Sequence, residues 1–246
     1  MKIFIASFVI LIGACALVLA QQPAAPAAPQ ASITLKDRQG VASPTRQGFT
    51  HTGGGNIDVA QSAPDTIIVT MTGIAVAGPH PLKDSMASLN FQLDQCIEIA
   101  LDNPKIKRVK LTLEGRVIGL LRSHKQGGSA QHGPAHAGVV GTGASILFLD
   151  VPGHCVSGGE NRSINDRRGP VAASVAAGDY HLHQTFAVTA THPRSVKLSK
   201  VASAEFAPEP ALDPLWISYW EPFHGAAKKD FGFQVILKVA PDADAK

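Results

Sequence analysis

Charge of either sign is scarce in this sequence. Of 246 residues, 22 are Lys or Arg and 19 are Asp or Glu, a formal net charge of +3. A chain so near neutrality sets up no strong field to draw in nucleic acid, and nucleic acid is not an expected partner. Cysteine is rarer still, with three in all, and only Cys96 and Cys155 lie beyond the N-terminal segment. Long apolar runs are confined to residues 3–20; no later stretch is long enough to cross a bilayer as a helix. No segment shows the three-and-four apolar spacing of an amphipathic helix.

Catalytic signatures are missing as well. No Gly-x-Ser-x-Gly turn presents a nucleophilic serine, and the acidic residues stand singly, so no glycosidase-like pair emerges. Neither Gly141-Thr142-Gly143 nor Gly53-Gly54-Gly55 opens a helix after a strand, as a phosphate cradle requires. His154 and Cys155 are adjacent, and neighbours on a strand face opposite ways, which rules against a base–nucleophile pair. The expectation is a protein that is not an enzyme.

What is present begins with MKIFIASFVILIGACALVLAQQ. One lysine, an apolar run and small residues before Gln21 describe a secretory signal peptide over 1–20. Ile12-Gly13-Ala14-Cys15 also resembles the lipobox of bacterial lipoproteins, in which Cys15 would carry the lipid. The apolar continuation to Ala20 favours simple cleavage. Either route exports the chain to periplasm, cell surface or medium, with membrane attachment only through such an N-terminal lipid. About 225 residues then remain, enough for one large β domain or two small ones. In an oxidising compartment Cys96 and Cys155 are a candidate disulfide, worth about 4 kcal/mol by chain entropy. The alternative is two separate buried thiols.

Residues 21–64, opening QQPAAPAAPQAS and continuing Gly-rich to GGGN, read as a linker with one short strand near 56–60. From 65 to 241 the pattern is that of a single β domain, followed by a charged tail at 242–246. Leu89, Phe91, Leu93, Ile97, Ile99 and Leu101 fall on odd positions with polar residues between them, a period of two with one buried and one wet face. Alternation resumes over 108–121, so the two regions read as a hairpin. Residues 144–151, 178–191 and 231–239 are further strands, while 123–143 and 152–170 read as polar loops. The fold class expected is all-β, an antiparallel β-sandwich, with jelly-roll-like and immunoglobulin-like topologies not distinguished.

Three places could carry chemistry. In SHKQGGSAQHGPAH, His124, His132 and His136 crowd a small-residue stretch, but Gly133-Pro134 denies them a shared helix face. His181 and His183 flank Leu182 on a strand and project from one face about 7 Å apart, with Asp179 on the same side. That pair could supply two ligands to zinc or copper, the alternative being the wet face of an amphipathic strand. Trp216, Tyr219 and Trp220 form the densest aromatic group and would suit sugar rings or a protein interface if exposed. The leading expectation is an exported, non-enzymatic structural or binding module of a cell envelope or secreted assembly. Its partner would be a protein or glycan, and no cofactor is expected. The alternative is a metal-binding β-fold built on the His181/His183 pair.

Overall fold

A computed structural model describes residues 30–47, 51–78, 82, 84–123, 127–194, 202–205 and 232–242. The signal segment with Cys15, the first residues of the linker reading, His124, the 216–220 aromatics and residues 243–246 of the tail lie outside these.

The described chain is all-β, two antiparallel sheets packed face to face. The front sheet begins with β1 (Ala31–Gln47), then β4 (Ser85–Leu101), then β11 (Gly178–His192). Against β11 lie β6 (Ser129–His132) and β7 (Ala135–Gly141) end to end, and outside them β9 (His154–Ser157) and β8 (Ala144–Val151). The back sheet has β2 (His51–Ala63), β3 (Thr66–Ala77), β13 (Gly232–Pro241), β5 (Val109–Arg122) and β10 (Asn161–Val175). The short β12 (Ala202–Glu205) fills the slot between β3 and β5 beyond the end of β13.

The period-two stretch behaves as the sequence implies. Leu89, Phe91, Leu93, Ile97 and Ile99 are buried, while Asn90, Gln92 and Glu98 face solvent. Phe186 of β11 sits at the centre of the core. Its ring centroid lies 6.0 Å from that of Phe91 and 5.9 Å from that of Phe233 in the back sheet. Buried Gln184 ties the sheets by donating from Nε2 to the Phe233 carbonyl at 3.2 Å. Burying such faces is the main source of stability in a sandwich.

Three expectations need correction. Within the segment read as linker, Ala31–Gln47 and His51–Ala63 are strand: Ala31, Ile33 and Ile57 are buried in the core, and β1 and β2 form an edge of each sheet. The expected hairpin between the 89–101 and 108–121 regions does not form, because β4 pairs with β1 and β11 whereas β5 pairs with β10, β12 and β13. The turn at 102–108 thus crosses from one sheet to the other, and the apolar faces of both strands turn into the shared core. The supposed loops 123–143 and 152–170 are largely strand.

That last region is one long bent hairpin. β7 and β8 meet at a tight turn, Thr142-Gly143, with Gly143 at φ +78°, a conformation that glycine adopts without steric cost. Residue numbers of paired positions on β6 and β9 add to 286, as they do for most of β7 and β8. Against β11 the sum changes from 320 on β6 to 321 on β7. One extra residue therefore sits at Gly133-Pro134, where the Gly133 N–H reaches the Ala187 carbonyl at 2.9 Å. Gly153 lies against this bend: a Cβ there would meet the His132 carbonyl oxygen at 2.7 Å and the Gly133 carbonyl carbon at 2.9 Å.

Candidate functional site

The bend decides what each histidine of the SHKQGGSAQHGPAH stretch does. On an unbroken strand His132 and His136 would share a face. The extra residue between them reverses the alternation. His132 joins Ala130 on the inner side and is 2 % exposed, while Ala135, Ala137 and Val139 turn inward on β7 and His136 turns out. His132 packs 5.9 Å from the Phe186 ring and 5.2 Å from the His154 ring, and its Nδ1 lies 2.9 Å from the Gly133 carbonyl oxygen. Burial among these groups lowers its pKa from 6.5 to about 4, against the raising effect of that carbonyl. His154 is bonded through Nε2 to Asp166 of β10, so this cluster links the rims of the two sheets.

The outer face of the front sheet collects the remaining candidates. Register places Gln92, Thr185, His136 and Asp150 in one row across β4, β11, β7 and β8. The next row holds Asp94, His183, Gly138 and Phe148. Each row spans about 14 Å at ordinary strand spacing. His136 Nδ1 bonds Asp150, and the His136 ring stacks on Phe148 with centroids 6.1 Å apart. Phe148 is 57 % exposed, so its ring is presented to solvent on the sheet face. Gly138 lies between His183 and Phe148, where a Cβ would crowd the Leu147 carbonyl at 3.1 Å and meet the Phe148 ring at 3.7 Å. Beside these rows a depression of about 400 Å³ is lined by Asn90, Gln92, Pro134, Thr185 and Ala187, with Phe91 and Phe186 beneath.

His181 and His183 do project together, their rings stacked at 6.0 Å and 11°. The carboxylate that joins them is Asp94 of β4, 2.9 Å from His181 Nδ1 and 3.6 Å from His183 Nδ1. Asp179 shares their face but is engaged elsewhere, accepting from Lys36 Nζ at 2.8 Å, with Glu98 3.4 Å from the same ammonium. The bond from Asp179 is the chief cause that raises the Lys36 pKa. Asp94 was invisible as a partner in sequence because it lies on a strand more than eighty residues away. Among the described residues no group of three or more His, Cys, Asp or Glu side chains is placed to hold a metal ion. No family model and no curated protein matches the chain.

The disulfide expectation is overturned. Cys96 and Cys155 are both free, the first half-buried and the second exposed. β11 and β6 lie between their strands, and Cys155 shares a row with Ser88, eight residues along β4 from Cys96. That offset alone is roughly 27 Å, far beyond the roughly 7 Å that a disulfide permits between Cα atoms.

Proposed function

We propose that this chain is an exported, non-enzymatic binding module of a cell envelope or secreted assembly, and that its ligand is a glycan held on the outer face of the front sheet. The observation that carries this reading is the pair of rows Gln92–Thr185–His136–Asp150 and Asp94–His183–Gly138–Phe148. Sugars present flat apolar ring faces edged by hydroxyls. An exposed aromatic ring beside amide, hydroxyl, imidazole and carboxylate groups answers both features. The Asn90–Gln92–Thr185 depression extends the polar floor next to the ring. Export rests on the N-terminal sequence, and the 216–220 aromatics are a further candidate contact.

Calorimetry against soluble glycans of bacterial envelopes and plant or algal walls tests the reading. One class should bind at micromolar to millimolar strength, weakened about tenfold by Gln92→Ala and by His136→Ala, each a loss of roughly 1–1.5 kcal/mol. Neither substitution touches the core. Binding unaffected by both changes, or binding to none of the glycans, would overturn it.

A further inference from the structure

We propose that the chain forms a two-fold dimer by pairing β8 with β8 of a second copy, joining the two front sheets into one. In the front sheet β8 is hydrogen-bonded to β7 alone among the described residues, and none of these residues pairs with the backbone groups on its other edge. Edges of this kind are normally blunted by charge, proline or cover. The other edges of this molecule follow that rule. Along β10 stand Arg162, Asp166, Arg167 and Arg168, with Pro170 at a register break. β1 and β2 cover each other in part, through Ile33 N–H to the Pro64 carbonyl at 2.8 Å and Gln61 Nε2 to the Ile33 carbonyl at 2.6 Å. β9 spans only His154–Ser157 before a glycine turn.

β8, reading ASILFLDV, is approached by β10 of the back sheet, where Gly169 lies against Leu149, but its open edge carries no blunting charge or proline. It contains no Lys, Arg or Pro, and its single charge, Asp150, is already engaged by His136. Its composition is that of a strand ready to pair. A second copy fits this edge because antiparallel self-pairing preserves which side chains face in and which face out. With Phe148 on the two-fold axis, Phe148 meets its own counterpart on the outer layer and Leu147 meets Leu149 of the other copy on the inner layer. The exposed ring is thereby covered from one side, no like charges oppose each other, and such self-complementary interfaces are the commonest in oligomers. Ile146 opposes Asp150, which keeps its own histidine.

Sedimentation velocity on the chain, in the form its host processes, decides the matter. Wild type is expected to sediment as a dimer. Phe148→Lys and Phe148→Glu should each be monomeric, because like charges then face each other on the axis. Mixing the two in equal amounts should restore a dimer by pairing lysine with glutamate. Melting curves establish that each variant is folded; Ile146→Glu, which sets a like charge against Asp150 of the other copy, replaces as the monomeric variant either one that is not. A wild-type monomer overturns the proposal, including one that instead accepts a foreign strand at this edge. So does a dimer that survives Phe148→Lys unchanged.

Discussion

Gly73→Val is expected to destabilise the fold by about 3 kcal/mol, a typical cost of forcing extra carbon into a packed interior. Gly73 on β3 pairs directly with Gly55 on β2. The two leave a recess in the back sheet into which Leu89 and Phe91 of the front sheet descend. A Cβ at Gly73 would stand 2.3 Å from Leu89 Cδ2 and 2.7 Å from Phe91 Cζ, and one at Gly55 would stand 2.6 Å from each. Both partners are buried and packed in on every side, so neither can swing aside cheaply. Urea denaturation should show the midpoint falling with little change in slope. Leu89→Ala opens space at this contact, so the double variant should be more stable than the sum of the single losses allows, by at least about 1 kcal/mol. Additive losses would mean that the sheets do not meet at this point.

Acid should destabilise the protein through His132. Its pKa is about 4 in the folded state against 6.5 for the free side chain, and the chief cause is burial. Between these values the unfolded chain binds a proton that the native protein refuses, so stability falls as the pH drops from about 6.5 to about 4. Above that window the imidazole is neutral in both states and contributes no pH dependence. The full loss at the acid end is roughly 3 kcal/mol. His132→Phe, which keeps a ring against Phe186, should flatten the melting temperature across this range relative to wild type. Parallel pH profiles for the two proteins would contradict a buried, neutral His132.

Strands whose inner faces carry large aliphatic residues were legible in the sequence, as Leu89 to Ile99 on β4 demonstrates. Strands whose inner positions are small were not. Ala130, Ala135 and Ala137 are core residues, yet with their intervening glycines they read as loop. The same holds for β2, where Gly55 must stay bare beneath Phe91. Partner choice was also hidden, since a turn of given length can close a hairpin or cross between sheets. Gln95 is instructive: it occupies an inner position of β4 and is buried, which alternation alone does not explain. A register break in β1 beside it exposes the Lys36 and Asp37 carbonyls, and Gln95 Nε2 lies 3.2 Å from each. The facing of His132 and His136 depended likewise on one extra residue at Gly133-Pro134. His181 and His183 could be assigned to one face from spacing alone, but not the Asp94 that joins them.

The proposed role rests on the outer face of the front sheet rather than on any residue in isolation. The outer face of the back sheet, where Ile68, Ile118 and Ile236 are half-buried beside the polar row Asp58, Thr70, Gln234, Arg116 and Arg167, presents no exposed aromatic ring among the described residues. Once a glycan ligand is in hand, the most direct measurement is a backbone-amide chemical-shift map of the protein with and without it. The account predicts the largest shifts at Gln92, His136, Gly138, Phe148 and His183, with the back sheet silent. Shifts concentrated on the back sheet, or at the β10 rim around Asp166, would contradict it.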